Sequence, residues 1–354
     1  MSEILIKSSH KDYGIYFQPL NLNDFENAYF LTDERFQERY NQQEGKIVFL
    51  KADETKKNLS TVEDVMMQLS EKGMTKNHEL LVIGGGYLQD VGTLVASLYM
   101  RGVNWTYVPT TLAAMGDSCI GGKSSINAGR IKNLVGNFYP PDKVLIDSTF
   151  VTTLPNLEII AGISEVIKIC FAKSFEDFQL CSKLIDDWEI GSKSNTVSEI
   201  VKLSLRNKKH FVEEDEFDSG IRKLLNFGHS FGHALESASE YRIPHGVAVL
   251  LGMIAACQHS KSYQGQEANA LISKCLAFSR PIGGIIESEI STIDYEKFAR
   301  ALKKDKKNTD TCLVLILPSK SGLAITKIPF NENAVEDATF AMKAGIEMVL
   351  NEIR

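Results

Sequence analysis

The stretch Glu79-Leu80-Leu81-Val82-Ile83-Gly84-Gly85-Gly86-Tyr87-Leu88-Gln89-Asp90 decides the fold. Glu79 to Ile83 is a short apolar run of strand type, Leu88 to Met100 has helical spacing, and three glycines join them. A strand that ends on glycines and enters a helix lets backbone N–H groups approach a pyrophosphate. The fingerprint is incomplete, because Gln89 stands where a third small residue is usual, and a plain tight turn accounts for the same glycines. Working outward, Ala28 to Leu31, Lys46 to Leu50, Trp105 to Val108 and Val144 to Asp147 are further strands, and Leu59 to Lys72 is an amphipathic helix. Strand and helix alternate at the spacing of parallel α/β units.

From Pro155 onward the periodicity is helical, over 157–184, 194–211, 220–238, 246–262, 266–278, 293–303 and 335–352, with one hairpin of Cys312 to Leu317 and Leu323 to Lys327. The expected organisation is therefore a Rossmann-like α/β domain over residues 1–150 and a helical domain over 151–354. A chain of 354 residues suits two domains at roughly 150 residues each. With 39 basic and 45 acidic side chains, net −6, no basic stripe marks a nucleic-acid partner. The opening MSEILIKSSHKDYG has no apolar core of signal-peptide length. The apolar run Gly246 to Cys257 is 12 residues, a buried helix too short for a bilayer. The six scattered cysteines, with no C-x-x-C, read as reduced core residues of a cytoplasmic protein.

Four groups of residues carry candidate chemistry. Asp33, ending an early strand, suits a ribose hydroxyl, or is an exposed turn aspartate. After Val108-Pro109-Thr110-Thr111-Leu112 come Asp117, a Gly121-Gly122-Lys123 turn, and Lys132-Asn133; backbone donors and cations so close together favour an anion site over a solvated loop. Three of the seven histidines, His229, His233 and His245, fall within 17 residues. Asn226, His229, His233 and Glu236 are spaced to share one helix face. Two imidazoles and a carboxylate suit a divalent metal, and Ser230 in place of glutamate argues against an H-E-x-x-H protease. Glu165 and Lys168 sit amid isoleucines, where charge points to function, while Lys208, Arg222 and Asp305-Lys306-Lys307 taken singly read as solvated cations.

In this order the motifs resemble the dehydroquinate synthase family of sugar-phosphate cyclases. The resemblance rests on ETKK (54–57), GGGYLQD (84–90), YMRGV (99–103), VPTTL (108–112), DSCIGGK (117–123), KNLVGNFYPP (132–141), TLP (153–155), SEVIK (164–168), GIRKLLNFGHSFGHALE (220–236), PHG (244–246) and DKKN (305–308). It implies the two-domain fold already read, NAD and a divalent metal (zinc or cobalt) as cofactors, a phosphorylated keto-acid sugar as substrate, and a homodimer. By motif, Glu165, His229 and His245 would hold the metal, with His233 beside them. NAD would lie against Asp33, Glu54, Lys57, Gly85, Gly86, Asp90, Thr110, Thr111, Lys132 and Thr153. Substrate would meet Asp117, Lys123, Asn133, Lys168, Lys208, Arg222, Asn226 and Lys306 or Lys307, with Arg101 reaching a neighbouring subunit's site. The implied reaction converts 3-deoxy-D-arabino-heptulosonate 7-phosphate to 3-dehydroquinate in the shikimate pathway of aromatic amino acid biosynthesis. It runs by oxidation, phosphate loss, reduction, ring opening and an intramolecular aldol closure. Val247 after His-Gly and Ser124-Ser125 after Lys123 depart from the usual pattern, and keep an amino-heptulosonate or other heptulose phosphate as the rival substrate. A rival class is an NAD alcohol dehydrogenase that releases NADH.

Overall fold

The computed structural model describes residues 3–41, 45–129, 131–190, 192, 195–305 and 307–354. The chain packs as two units, one of residues up to Thr153 together with Lys208–Phe217, the other of Leu154–Asn207 with Asp218–Arg354.

The first unit comprises strands β1 (Ile4–Ile6), β2 (Tyr13–Phe17) and β3 (Ala28–Asp33), a helical turn α1 (Gln37–Tyr40), β4 (Ile47–Leu50), α2 (Leu59–Glu71), β5 (Glu79–Gly84), α3 (Gly86–Leu98), β6 (Trp105–Pro109), the hairpin β7 (Lys123–Ala128) and β8 (Ile131–Phe138), and β9 (Lys143–Ile146). Among the described residues, one sheet has the order β1-β2-β9-β6-β5-β3-β4. All its pairings are parallel except the edge pair of β1 with β2. Leu80 to Ile83 are all fully buried, the continuous burial of a strand covered on both faces. The succession from β3 runs outward to β4, then returns past it to β5, β6 and β9. The neighbours β3 and β5 therefore form the topological switch point, where open α/β sheets bind ligands at their carboxyl ends. Asp33 ends β3, and Gly84 ends β5 with Gly85 and Gly86 leading into α3, at that point.

The second unit holds α4 (Asn156–Lys173), α5 (Phe175–Asp186), most of α6 (Asn195–Glu214), α7 (His229–Ala238), α8 (His245–Gln258), α9 (Gln266–Ser279), α10 (Gly283–Ser291), α11 (Tyr295–Lys303), the hairpin β10 (Cys312–Ser319) and β11 (Gly322–Pro329), and α12 (Glu332–Ile353). Its centre is α8, in which every residue from Gly246 to Cys257 is buried. At about 1.5–3 kcal/mol per fully buried Val, Leu, Ile or Met, this helix anchors the domain. It packs on α4, α7, α9 and α12. Glycines set the closeness of that packing. A Cβ on Gly252 would lie 2.1 Å from the Gly228 carbonyl oxygen, and one on Gly246 would lie 2.3 Å from that of Ala161. The backbones of α4, α7 and α8 thus meet where their functional side chains emerge.

Three expectations need correction. The segment 157–184 is two helices, because Ser174 is extended (φ −166°) and caps α5 through a 3.0 Å bond from Asp177 N–H. The segment 220–238 is broken: Ile221–Asn226 is a 3-10 turn, and Gly228 in the left-handed region (φ +76°) separates it from α7. Asn226 therefore does not share the helix face of His229 and His233. Strands β1 and β2 lie in a part of the chain with no recognised motif.

Candidate active site

In the first unit the glycine turn is built by close approaches. A Cβ on Gly85 would fall 2.9 Å from Thr111 Cγ2, and Thr110 N–H donates to the Gly84 carbonyl at 3.0 Å. Around a Cβ on Gly86 there is no atom within 4 Å, so the start of α3 is open to an approaching group. That cradle at the switch point, at a helix start with no side-chain cap hydrogen bond, fits a dinucleotide pyrophosphate. Gln89, the residue that breaks the usual fingerprint, is buried and clasps Ser118, accepting from its hydroxyl at 2.5 Å and donating to its carbonyl at 2.6 Å. Its bulk serves the turn that carries Asp117.

Several expected NAD contacts are joined to each other. Lys57, 6% exposed, lies 2.6 Å from Asp90 Oδ2 and donates to Asn133 Oδ1 at 3.1 Å. Asp90 also accepts from Ser125 N–H at 2.9 Å; burial pushes its carboxyl pKa up, against the pull of Lys57. Glu54 is tied by side chain and carbonyl to Asn127, each at 3.0 Å. Asp33 is buried, not exposed: it caps its turn through Arg35 N–H at 3.0 Å and pairs with the Arg35 guanidinium at 3.2 Å. Lys132 is half-buried on β8, and the Thr153 hydroxyl donates to the Phe150 carbonyl at 2.9 Å.

The expected substrate residues of this unit include one pair that sequence reading did not join. Asp117 lies in a π-type turn, Ala114–Ser118, and its carboxylate meets Lys208 Nζ at 2.6 Å. Lys208 is buried and also donates to the Asp117 carbonyl, so it is not the solvated cation expected of it singly. Lys123 is exposed at the start of β7, its Nζ 5.9 Å from the Phe138 ring centre. Arg101 is exposed in a left-handed conformation (φ +64°).

In the second unit α4, α7 and α8 bring four candidate ligands together. The ligand nitrogens of His229, His233 and His245 all lie within 4.8 Å of one another. His245 Nε2 is 3.5 Å from Glu165 Oε1. Glu165 and Lys168 form a buried ion pair one turn apart on α4. Burial, then the positive charge of Lys168, hold the His229 imidazole well below its ordinary pKa; burial and Lys307 push His233 down to about 4. For His245, burial is overcome by a 3.1 Å hydrogen bond to Glu236, and its pKa is raised. Imidazoles beside a carboxylate are the donor set of a divalent transition metal, so these residues fit one, as two His with Glu165 or as three His. Arg222 is buried in the 3-10 turn before α7, and Asn226 Nδ2 donates to the Lys223 carbonyl at 3.1 Å. Lys307 lies 2.9 Å from Asp305 and 3.4 Å from the Ser230 hydroxyl; Lys306 lies outside the described residues. Sequence reading assigned no role to Glu236, although its place three residues after His233 was the available signal.

Comparisons with known proteins agree with this layout. Residues 47–161 match the family described as 3-dehydroquinate synthase N-terminal, and residues 162–308 match 3-dehydroquinate synthase C-terminal. The chain is similar to the 3-dehydroquinate synthase of Alkaliphilus metalliredigens, 35% identical over 302 residues, covering 82% of this chain and 83% of that one. It is also similar to that of Dictyoglomus thermophilum, 33% identical over 98% of this chain and 99% of the relative. Among solved structures it shares its fold with 2-deoxy-scyllo-inosose synthase complexed with carbaglucose-6-phosphate, NAD+ and Co2+ (TM-score 0.79, 20% identity, 96% of this chain and 99% of that one). A second is 2-epi-5-epi-valiolone synthase from Streptomyces hygroscopicus with NAD+ and Zn2+ bound (TM-score 0.76, 21% identity, 97% and 99%). Glycerol dehydrogenase from Schizosaccharomyces pombe follows at a TM-score of 0.62 and 14% identity, over 94% and 86%. The chain belongs to the 3-dehydroquinate synthase family of phosphate-eliminating carbon–oxygen lyases.

Proposed function

We propose that this chain converts 3-deoxy-D-arabino-heptulosonate 7-phosphate to 3-dehydroquinate with release of phosphate, using NAD and a divalent metal held by Glu165, His229 and His245. The observation that carries the reading is the meeting of three imidazoles and a buried carboxylate from three helices. When bound, the metal supplies Lewis acidity toward substrate oxygens, and NAD supplies a hydride acceptor that is regenerated within the turnover.

The chain's own residues bind and orient. The substrate carries two anionic groups, a phosphate and a carboxylate, and Lys168, Lys208 and Arg222 are all buried, where a cation is worth most to an anion. Asp117 holds Lys208 by carboxylate and carbonyl, so the ammonium is pointed before substrate arrives. Lys168 forms a buried ion pair with Glu165 on the same helix and holds that carboxylate in place. His233, pushed down to about 4 by burial and Lys307, is neutral at physiological pH and adds no positive charge beside the ligands. The two departures from the usual motifs are core positions. Val247 is fully buried in α8, Ser124 is buried with its hydroxyl on Asn137 at 2.7 Å, and half-buried Ser125 donates its N–H to Asp90 at 2.9 Å.

A homodimer in the cytoplasm belongs to the same proposal. Met100 and Arg101 are both left-handed (φ +48° and +64°), a conformation that disfavours non-glycine residues by about 1–2 kcal/mol each. Arg101 is exposed there, just after the exposed Leu98 and Met100 in the chain. Among the described residues no helix is long and apolar enough to cross a membrane, and the six thiols are all free, as in a reducing compartment. The test is phosphate release by the purified protein with NAD+ and Zn2+ or Co2+. Sedimentation of the same sample tests the dimer: a monomer fully active at every concentration would end that part of the reading.

A further inference from the structure

We propose that Glu236 is a positioning residue for the metal site: its carboxylate fixes the tautomer and ring orientation of His245, so that Nε2 faces Glu165. The proposal rests on the metal reading above. Glu236 Oε2 lies 3.1 Å from His245 Nδ1, while His245 Nε2 lies 3.5 Å from Glu165 Oε1. A carboxylate only accepts, so Nδ1 must carry the proton and donate, leaving Nε2 with its lone pair for a cation. Flipping the ring by 180° about Cβ–Cγ would put Cδ2 against Glu236 and Cε1 toward Glu165, so both nitrogen contacts would be lost.

The need for such a restraint follows from exposure. The His245 side chain is 47% exposed, whereas that of Glu236 is only 13% exposed. Glu236 also anchors the backbone that leads to His245. Its carbonyl accepts from Tyr241 N–H at 2.7 Å, in a bend where Glu240 and Tyr241 are both left-handed (φ +54° and +63°). Ile243 N–H then bonds the Ser239 hydroxyl at 3.4 Å, and Pro244 opens α8. One residue thus holds both the connection between α7 and α8 and the imidazole at its end. Removal of such an outer carboxylate typically weakens metal binding 10–100-fold.

The experiment measures Co2+ affinity by chelator competition, with the Co2+ d–d absorption spectrum, on the full-length wild type and Glu236→Gln, Glu236→Leu, Glu236→Asp and His245→Ala. Circular dichroism checks folding. We expect Glu236→Leu to bind Co2+ about 10–100-fold more weakly with altered d–d bands. Glu236→Gln, which keeps an acceptor oxygen, should recover most of the affinity and the native spectrum. Glu236→Asp, which keeps the charge but draws the oxygen away, should behave like Glu236→Leu, and it carries the test if the leucine variant does not fold. Wild-type affinity and spectrum in folded Glu236→Leu or Glu236→Asp, with His245→Ala losing the metal, would overturn the proposal while leaving the metal reading intact. A wild type that takes up no Co2+ would overturn both.

Discussion

Lys208 Nζ lies 2.6 Å from both the carboxylate and the backbone carbonyl of Asp117, which stands 91 residues earlier in the chain. Breaking a buried ion pair from one side strands the other charge, at about 3–5 kcal/mol. Asp117→Ala strands a lysine side chain only 7% exposed, whereas Lys208→Met strands a carboxylate 19% exposed and keeps the volume, so Asp117→Ala should destabilise the protein more. Both should lower kcat/KM by at least about 100-fold, a loss of some 3 kcal/mol of transition-state stabilisation. Urea unfolding with steady-state kinetics checks this; equal stability of the two variants would mean that the pair is not what holds the lysine.

Glu165→Ala and His229→Ala should abolish metal content and turnover while keeping the helical circular dichroism of the wild type. Metal analysis after gel filtration is the measurement. A full equivalent of bound Zn2+ in both variants would move the site elsewhere.

Two glycines should separate packing from ligand binding. Gly252→Ala forces a methyl to 2.1 Å from the Gly228 carbonyl, so α7 and α8 must part, at about 1–3 kcal/mol for such overpacking. Gly86→Ala meets nothing within 4 Å and should leave stability within about 0.5 kcal/mol, yet weaken NAD binding by intruding on the open cradle. Thermal unfolding and NAD titration distinguish the two; unchanged NAD affinity in Gly86→Ala would place the pyrophosphate elsewhere.

The thiols predict a labelling order. Burial pushes Cys119 and Cys275 up to about 12, so both stay protonated and unreactive through pH 8 to 9, whereas Cys312 is half-exposed. A raised thiol pKa means less thiolate at any lower pH, and the thiolate is the nucleophile. Iodoacetamide on the native protein should modify Cys312 first, the others following only with denaturant. Native labelling of Cys119 at pH 8 would contradict the packing around Asp117.

Arg222→Ala should raise KM for the carboxylated substrate at least about 10-fold, with a smaller change in kcat. An unchanged KM would mean that the acid group is held by other cations.

Much of this was readable from residue order, and the reasons for the remainder are physical. The run Leu80 to Ile83 before three glycines identified β5 and its turn, because a buried parallel strand is continuously apolar. Gly246 to Cys257 was recognisable as a core helix for the same reason. The break at Gly228 was hidden, since NFGHSFGH keeps helical spacing through a left-handed glycine whose need is tertiary: a Cβ there would strike the backbone of α8. The pairing of Lys208 with Asp117 was also hidden, because no spacing rule links residues 91 apart. Glu236 was visible on the face of His233, but its partner His245 follows a bend whose path depends on Glu240 and Tyr241 entering the left-handed region.

In the proposed function, metal–NAD chemistry ends in phosphate elimination and carbocycle closure with the cofactor restored. The most direct measurement follows phosphate and NADH together during turnover of 3-deoxy-D-arabino-heptulosonate 7-phosphate by the NAD+- and Zn2+- or Co2+-loaded protein, with the amino-heptulosonate and sedoheptulose phosphates run beside it. One phosphate per 3-dehydroquinate formed, no net NADH, and highest kcat/KM for the heptulosonate are expected. Accumulating NADH without phosphate, or preference for a substrate lacking the carboxylate, would contradict the proposed function.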